Sequence, residues 1–217
     1  MIQFKNVTKS YRLGQHRKVV LDRASFEIPT GRSMAVIGRN GAGKSSLLRL
    51  IAGSSLPDSG RIRRNGLRVS WPLGFAGSFH GALSGRENVR FACRIYGESI
   101  KAVSEYVEAF AELGEHFDMP VSTYSSGMKA RLAFGLSMAM EFDVYLVDEI
   151  TSVGDKIFRE RCEEAFAHRR RIADVIMVSH SVSTIKKFCD FGCVLENGGI
   201  EFYDSVGDAV VAYEGKL

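Results

Sequence analysis

No stretch of the 217 residues approaches the roughly 18 consecutive apolar residues of a membrane span, and Met1–Leu13 lacks the basic-then-apolar build of a secretory leader. These absences predict a cytoplasmic chain. The four cysteines, Cys93, Cys162, Cys189 and Cys193, form no CxxC pair and no zinc-finger spacing. That leaves reduced thiols among apolar neighbours. There is no internal repeat, low-complexity tract or Pro/Ser-rich linker, so the length points to one domain spanning 1–217. Charge of one sign is scarce as well. The net charge is +4, and the basic clusters Arg61, Arg63, Arg64 and His168–Arg171 are local. They lack the aromatic interleaving of a single-strand binder, read as solvated faces, and give no reason to expect a nucleic-acid partner.

What is present alternates in a telling order. Ile2, Phe4 and the residues to Val7 alternate like a half-buried strand, and Val19–Leu21 and Ser25–Ile28 read as further short strands of an antiparallel opening. The continuous apolar run Met34–Ile37 then ends in a glycine-rich turn and a helix closing near Gly53. Val89, Ala92, Cys93 and Tyr96, and then Val103, Tyr106, Val107 and Phe110, recur at helical spacing and form a helical insert over about 75–140. The buried runs Val144–Val147 and Val175–Val178 follow, separated by a helix starting near Lys156. The implied architecture is α/β, a parallel-sheet core with an N-terminal antiparallel part. Ligands of such sheets sit beyond the carboxyl ends of the strands. Those ends carry Gly38–Ser45, Asp148 with Glu149, and Ser179 with His180.

Gly38-Arg39-Asn40-Gly41-Ala42-Gly43-Lys44-Ser45, running on into Ser46, fits G-x-x-x-x-G-K-[ST] between a strand and a helix. Glycines let backbone N–H groups curl around a β-phosphate, Lys44 brings charge to the β- and γ-phosphates, and the Ser45 hydroxyl can ligate Mg²⁺. Asp148, ending a buried strand, can hold the same ion, and Glu149 can polarise an attacking water. The pattern predicts an ATP hydrolase.

Tyr124-Ser125-Ser126-Gly127-Met128, opening a helix shortly before the acidic strand, resembles the ABC-family signature LSGGQ. The resemblance implies the P-loop fold of an ABC nucleotide-binding domain, with a RecA-like core and an inserted helical subdomain. It also implies a homodimer in which Ser125, Ser126, Gly127 and Met128 cover the γ-phosphate held by the opposite copy. Tyr11 matches the aromatic that stacks on adenine, Ser152-Val153-Gly154-Asp155 matches the D-loop, and His180 matches the switch histidine. Glu149, His180 and Lys44 are then the catalytic set.

Several positions depart from the family pattern. Ser126 and Met128 replace Gly and Gln, and Ile150 and Gly154 replace the D-loop Pro and Leu. Leu67–Gly85 holds no glutamine, so water, backbone or His80 must take the place of the Q-loop residue. Ser70-Trp71-Pro72-Leu73-Gly74-Phe75, Leu83-Ser84-Gly85-Arg86-Glu87-Asn88 and the Tyr-Ser-Ser-Gly-Met stretch together resemble ATPase subunits of bacterial capsular polysaccharide exporters, with O-antigen and teichoic-acid exporters as near relatives. The resemblance implies a location on the cytoplasmic face of the inner membrane. It also implies a multi-spanning permease docked at about Trp71–Tyr96 and a polysaccharide cargo handled by partner subunits. A non-transport ABC ATPase usually brings a second cassette or coiled-coil arms. A GTPase would carry N-K-x-D, and neither feature is present.

Overall fold

The computed structural model describes residues 1–14, 16–73, 79–148, 156–179 and 181–215. In chain order its elements are β1 (Ile2–Leu13), β2 (His16–Ile28), β3 (Met34–Ile37), α1 (Lys44–Ala52), β4 (Ser59–Arg63), β5 (Val69–Leu73), α2 (Gly85–Tyr96), α3 (Ile100–Ala111) and α4 (Ser126–Ala139). They continue with β6 (Val144–Asp148), α5 (Lys156–Arg170), β7 (Asp174–Val178), α6 (Val182–Phe188), β8 (Phe191–Glu196), β9 (Gly199–Tyr203) and α7 (Val206–Glu214). By contacts the chain divides into two compact units, one containing both sheets and the other Leu73–Glu141 with Ile150–Arg171.

In the sheet unit, β2, β1 and β4 form an antiparallel sheet and β5-β6-β7-β3-β8-β9 a six-stranded one. β3 runs parallel to β7 and β8, and β6 runs parallel to β7. β1 and β2 are longer than alternation suggested, and the physical reason is visible in their register. It shifts between Phe4 and Val7, between Val7 and Lys9, and between Lys9 and Ser10. Asn6 and Arg23 adopt positive φ of 50° and 47°. Each bulge inverts which face the following residues meet, so the period of two breaks while pairing continues. Side chains hold the kinks, with Ser25 Oγ accepting from Asn6 N and Thr8 Oγ1 from Arg23 N.

α1 is buried along most of its length. Leu47, Leu48, Leu50 and Ile51 are fully inaccessible and belong to one core with Phe4, Val7 and Val20 of the antiparallel sheet and Met34, Leu146 and Ile176 of the other. Each such side chain contributes about 1.5–3 kcal/mol by leaving water, which fixes the helix that follows the glycine loop. Its C-terminus is fixed as well. Arg64 donates to the carbonyls of Leu50 and Ile51 at 2.7 and 2.6 Å. Arg64 therefore departs from the solvated-face reading and acts as a cap on carbonyls that an α-helix leaves unpaired.

In the helical unit, α2 opens on a capping box in which Glu87 N donates to Ser84 Oγ and Ser84 N to Glu87 Oε2. Buried Asn88 donates to the carbonyls of His80, Leu83 and Ser84 and accepts from His80 N. The Leu83–Asn88 stretch is thus a structural fastening. α5 joins this unit because Phe158 meets Phe110 edge-on at 5.6 Å, Arg161 donates to Phe110 O, and Arg169 to Met138 O. Arg169, like Arg64, caps a helix end instead of lying on a solvated face. All four cysteines are buried and none forms a disulfide.

Candidate functional site

Serine closes the N-terminus of α2, α3, α4, α6 and α7. Ser84, Ser99, Ser125, Ser181 and Ser205 each accept a first-turn N–H. α1 differs. It opens on Gly43, with no side-chain cap and no acid in its first turn. Its leading N–H groups and the positive end of its dipole are therefore left for an anion. Gly43 is obligatory there. Its φ is 108°, and a β-carbon would lie 2.5 Å from Val20 Cγ1.

The loop before α1 is fastened from inside. Lys44, buried at 8% exposure, donates through Nζ to the carbonyls of Gly38 at 2.6 Å and Arg39 at 3.1 Å. Ala42 N donates to Arg39 O at 3.0 Å, closing the turn. Tyr11, Asn40, Gly41, Gly43, Lys44, Ser45, Ser46 and Asp148 together border one cavity of about 410 Å³, within the range of small-molecule sites. Gly38, Arg39 and Ala42 shape the loop without bordering that cavity. Lys18 and Val20 also border it, and no motif pointed to either.

Asp148 comes to this cavity through strand register. It pairs with Val178 of β7, and Val178 pairs with Val36 of β3, so the strands end along one edge. Among the described residues no three His, Cys, Asp or Glu converge as a metal cluster. The oxygen-bearing side chains that border the cavity include the Ser45 hydroxyl and the Asp148 carboxylate, and these two suit a hard cation sharing phosphate and water oxygens. Tyr11 is half-buried. Burial alone would raise its hydroxyl pKa, but hydrogen bonds with Ser46 and Ser55 and the charges of Lys9 and Arg49 bring it below the ordinary value. Tyr11 borders the cavity beside Ser46. Glu149, Ser152, Asp155 and His180 lie outside the described residues.

The signature stretch lies in the helical unit. Tyr124 is buried and donates its hydroxyl to His116 O. Ser125 caps α4 by accepting Met128 N at 3.2 Å. Ser126 is exposed, Gly127 and Met128 are half-exposed, and a β-carbon on Gly127 would meet only Ser125 Oγ, at 3.8 Å. His80 is exposed and its backbone is tied to Asn88.

In the Trp71–Tyr96 segment, Trp71 packs edge-on against Phe142 at 5.4 Å and Pro72 is buried. Phe75 is outside the described residues. Among the described residues of this segment, the large apolar side chains that are exposed are Phe91 at 60% and Ile95 at 62%, one turn apart on α2. No helix among the described residues is long and apolar enough to cross a membrane.

The sequence profile of the ABC transporter family matches residues 21–152. The chain is 51% identical over 217 residues to the polysialic acid transport ATP-binding protein KpsT of Escherichia coli, covering 99% of this chain and 96% of that protein. It is 45% identical to the ATP-binding protein BexA of Haemophilus influenzae, covering 98% of each. Among solved structures, it resembles a dimeric post-hydrolysis ATP-binding cassette bound to ADP and Pi with a TM-score of 0.74. That match has 21% identity and covers 93% of this chain and 98% of the other, a likeness in fold.

Proposed function

The chain belongs to the ABC transporter family, and from that premise we propose that it binds Mg-ATP between two head-to-tail copies and hydrolyses it to drive capsular polysaccharide through an inner-membrane permease. The observation that carries this reading is the uncapped N-terminus of α1, facing a cavity bordered by Lys44, Ser45 and Asp148. The loop amides and Lys44 would hold the β- and γ-phosphates. Ser45 and Asp148 would hold Mg²⁺, which supplies charge neutralisation at the phosphates when bound. The Tyr11 ring, at the border of the cavity, would stack on adenine. Glu149 would act as general base, with His180 as γ-phosphate sensor and the D-loop residues Ser152 and Asp155 linking the copies.

The start of α4, with Ser125, Ser126, Gly127 and Met128, would cover the other copy's γ-phosphate. Space beside Gly127 for a side chain that the sequence withholds supports close approach from outside. Exposed Phe91 and Ile95 support permease docking at α2, since apolar side chains on a polar helix face mark an interaction surface. The capsule assignment draws on the relatives' names, because the polymer path lies in partner subunits. The test is a Glu149→Gln replacement in the native host. Capsule lost from the surface with polymer accumulating inside is the expected result. Intact capsule with depleted O-chain would move the assignment to O-antigen export, and unchanged glycans would refute polysaccharide export.

A further inference from the structure

Lys18 lies outside every recognised motif, yet it stands directly across the β1–β2 ladder from Tyr11. Directly opposed residues of an antiparallel pair project from the same face, and both border the α1 cavity. The Lys18 ammonium also reaches the phosphate loop, since a β-carbon placed on Gly41 would lie 3.0 Å from its Nζ. Lys18 is half-buried, and no hydrogen bond or ion pair joins it to another described residue. Glu196 borders a neighbouring cavity together with Lys18 but forms no ion pair with it. A partly desolvated cation without a counter-charge is unfavourable in a folded protein and becomes favourable when an anion arrives. The buried ammonium nearby, that of Lys44, is held against the loop carbonyls, and the Arg39 side chain is exposed and outside this cavity.

We propose that Lys18 is a nucleotide-binding residue that closes over the phosphate chain from the β2 side, opposite the loop amides. It would form with Tyr11 a cross-strand clamp, ring on base and ammonium on phosphate. This rests on the ATP-binding reading and adds a phosphate contact to it. A contact at the level of Gly41 discriminates by phosphate number, so Lys18 contributes to preferring triphosphate over monophosphate.

The test is equilibrium binding of a non-hydrolysable ATP analogue, ADP and AMP to the full chain in Mg²⁺. Wild type, Lys18→Gln, Lys18→Met, Lys18→Arg and Lys44→Ala are compared, with thermal melting as the check on folding. Lys18→Gln should weaken the triphosphate about 3- to 10-fold, the size of a partly exposed charge-assisted bond. AMP affinity should stay at the wild-type value, and Lys18→Arg should recover the triphosphate. Lys18→Met keeps the stem and serves if Gln lowers the melting transition. Unchanged triphosphate affinity overturns the proposal, as does an equal loss for AMP and triphosphate, which would place the contact away from the phosphates. Wild type that binds no nucleotide, or Lys44→Ala that binds normally, would instead sink the ATP reading and the Lys18 contact with it.

Discussion

α1 and α4 both begin beside a glycine, and the two beginnings are finished in opposite ways. At α1 the glycine is demanded from within, because Gly43 has positive φ and Val20 fills the space of a β-carbon. The helix has no cap of its own. At α4 Ser125 supplies the cap, while Gly127 sits in the first turn with room beside it. A helical glycine costs about 1 kcal/mol relative to alanine, and no described residue accounts for keeping it. The difference teaches where each site is completed. On the proposed reading the α1 end receives an anion in its own chain's cavity, and the α4 end meets one held by another copy.

The sharpest challenge to this contrast holds both ends on ATP at once. Glu149→Gln should leave ATP affinity intact, stabilise an ATP-dependent dimer in size-exclusion chromatography, and slow phosphate release about 10²–10⁴-fold. Turnover near wild type would remove Glu149 as the base. Next in size, Gly43→Ala should destabilise the fold by about 1–3 kcal/mol in chemical denaturation, because it meets both backbone strain and Val20, and should weaken ATP binding at least ~10-fold.

Gly127→Ala should behave in the reverse manner, raising stability by up to about 1 kcal/mol and leaving ATP affinity of the monomer unchanged while ATP-driven dimerisation falls. A Gly127→Ala dimer that forms normally would erase the contrast. The smallest effect belongs to Ser125→Ala, which removes an exposed cap and should cost about 0.5–1 kcal/mol in denaturant titration.

The α1 end was legible because its parts are contiguous: strand, glycine loop, Lys44 and Ser45 follow one another in the sequence and meet at one cavity. Asp148 was legible for a related reason, as a charged residue ending the buried run of β6. Lys18 was illegible because its placement depends on pairing between strands, and bulges at Asn6 and Arg23 scramble the alternation that would have revealed which face it meets. β8 was missed since Gly192 interrupts its short apolar run. That glycine serves a neighbour, as a β-carbon there would lie 2.7 Å from Ala209 Cβ. Arg64 and Arg169 looked like members of charged clusters, and only three-dimensional proximity to helix-ending carbonyls separates them from exposed neighbours such as Arg63 and Arg171.

The buried thiols make this chain a ready host for site-specific reporters. Burial pushes the Cys162 thiol up to about 12 and raises those of Cys93 and Cys193. Cys189 is 6% exposed. Maleimide and spin-label reagents attack accessible thiolates, so the native protein should stay unlabelled at neutral pH. A single cysteine introduced on exposed Ser126 could then follow the α4 end through a nucleotide cycle by fluorescence or pulsed spin-label distances, with every natural cysteine left in place.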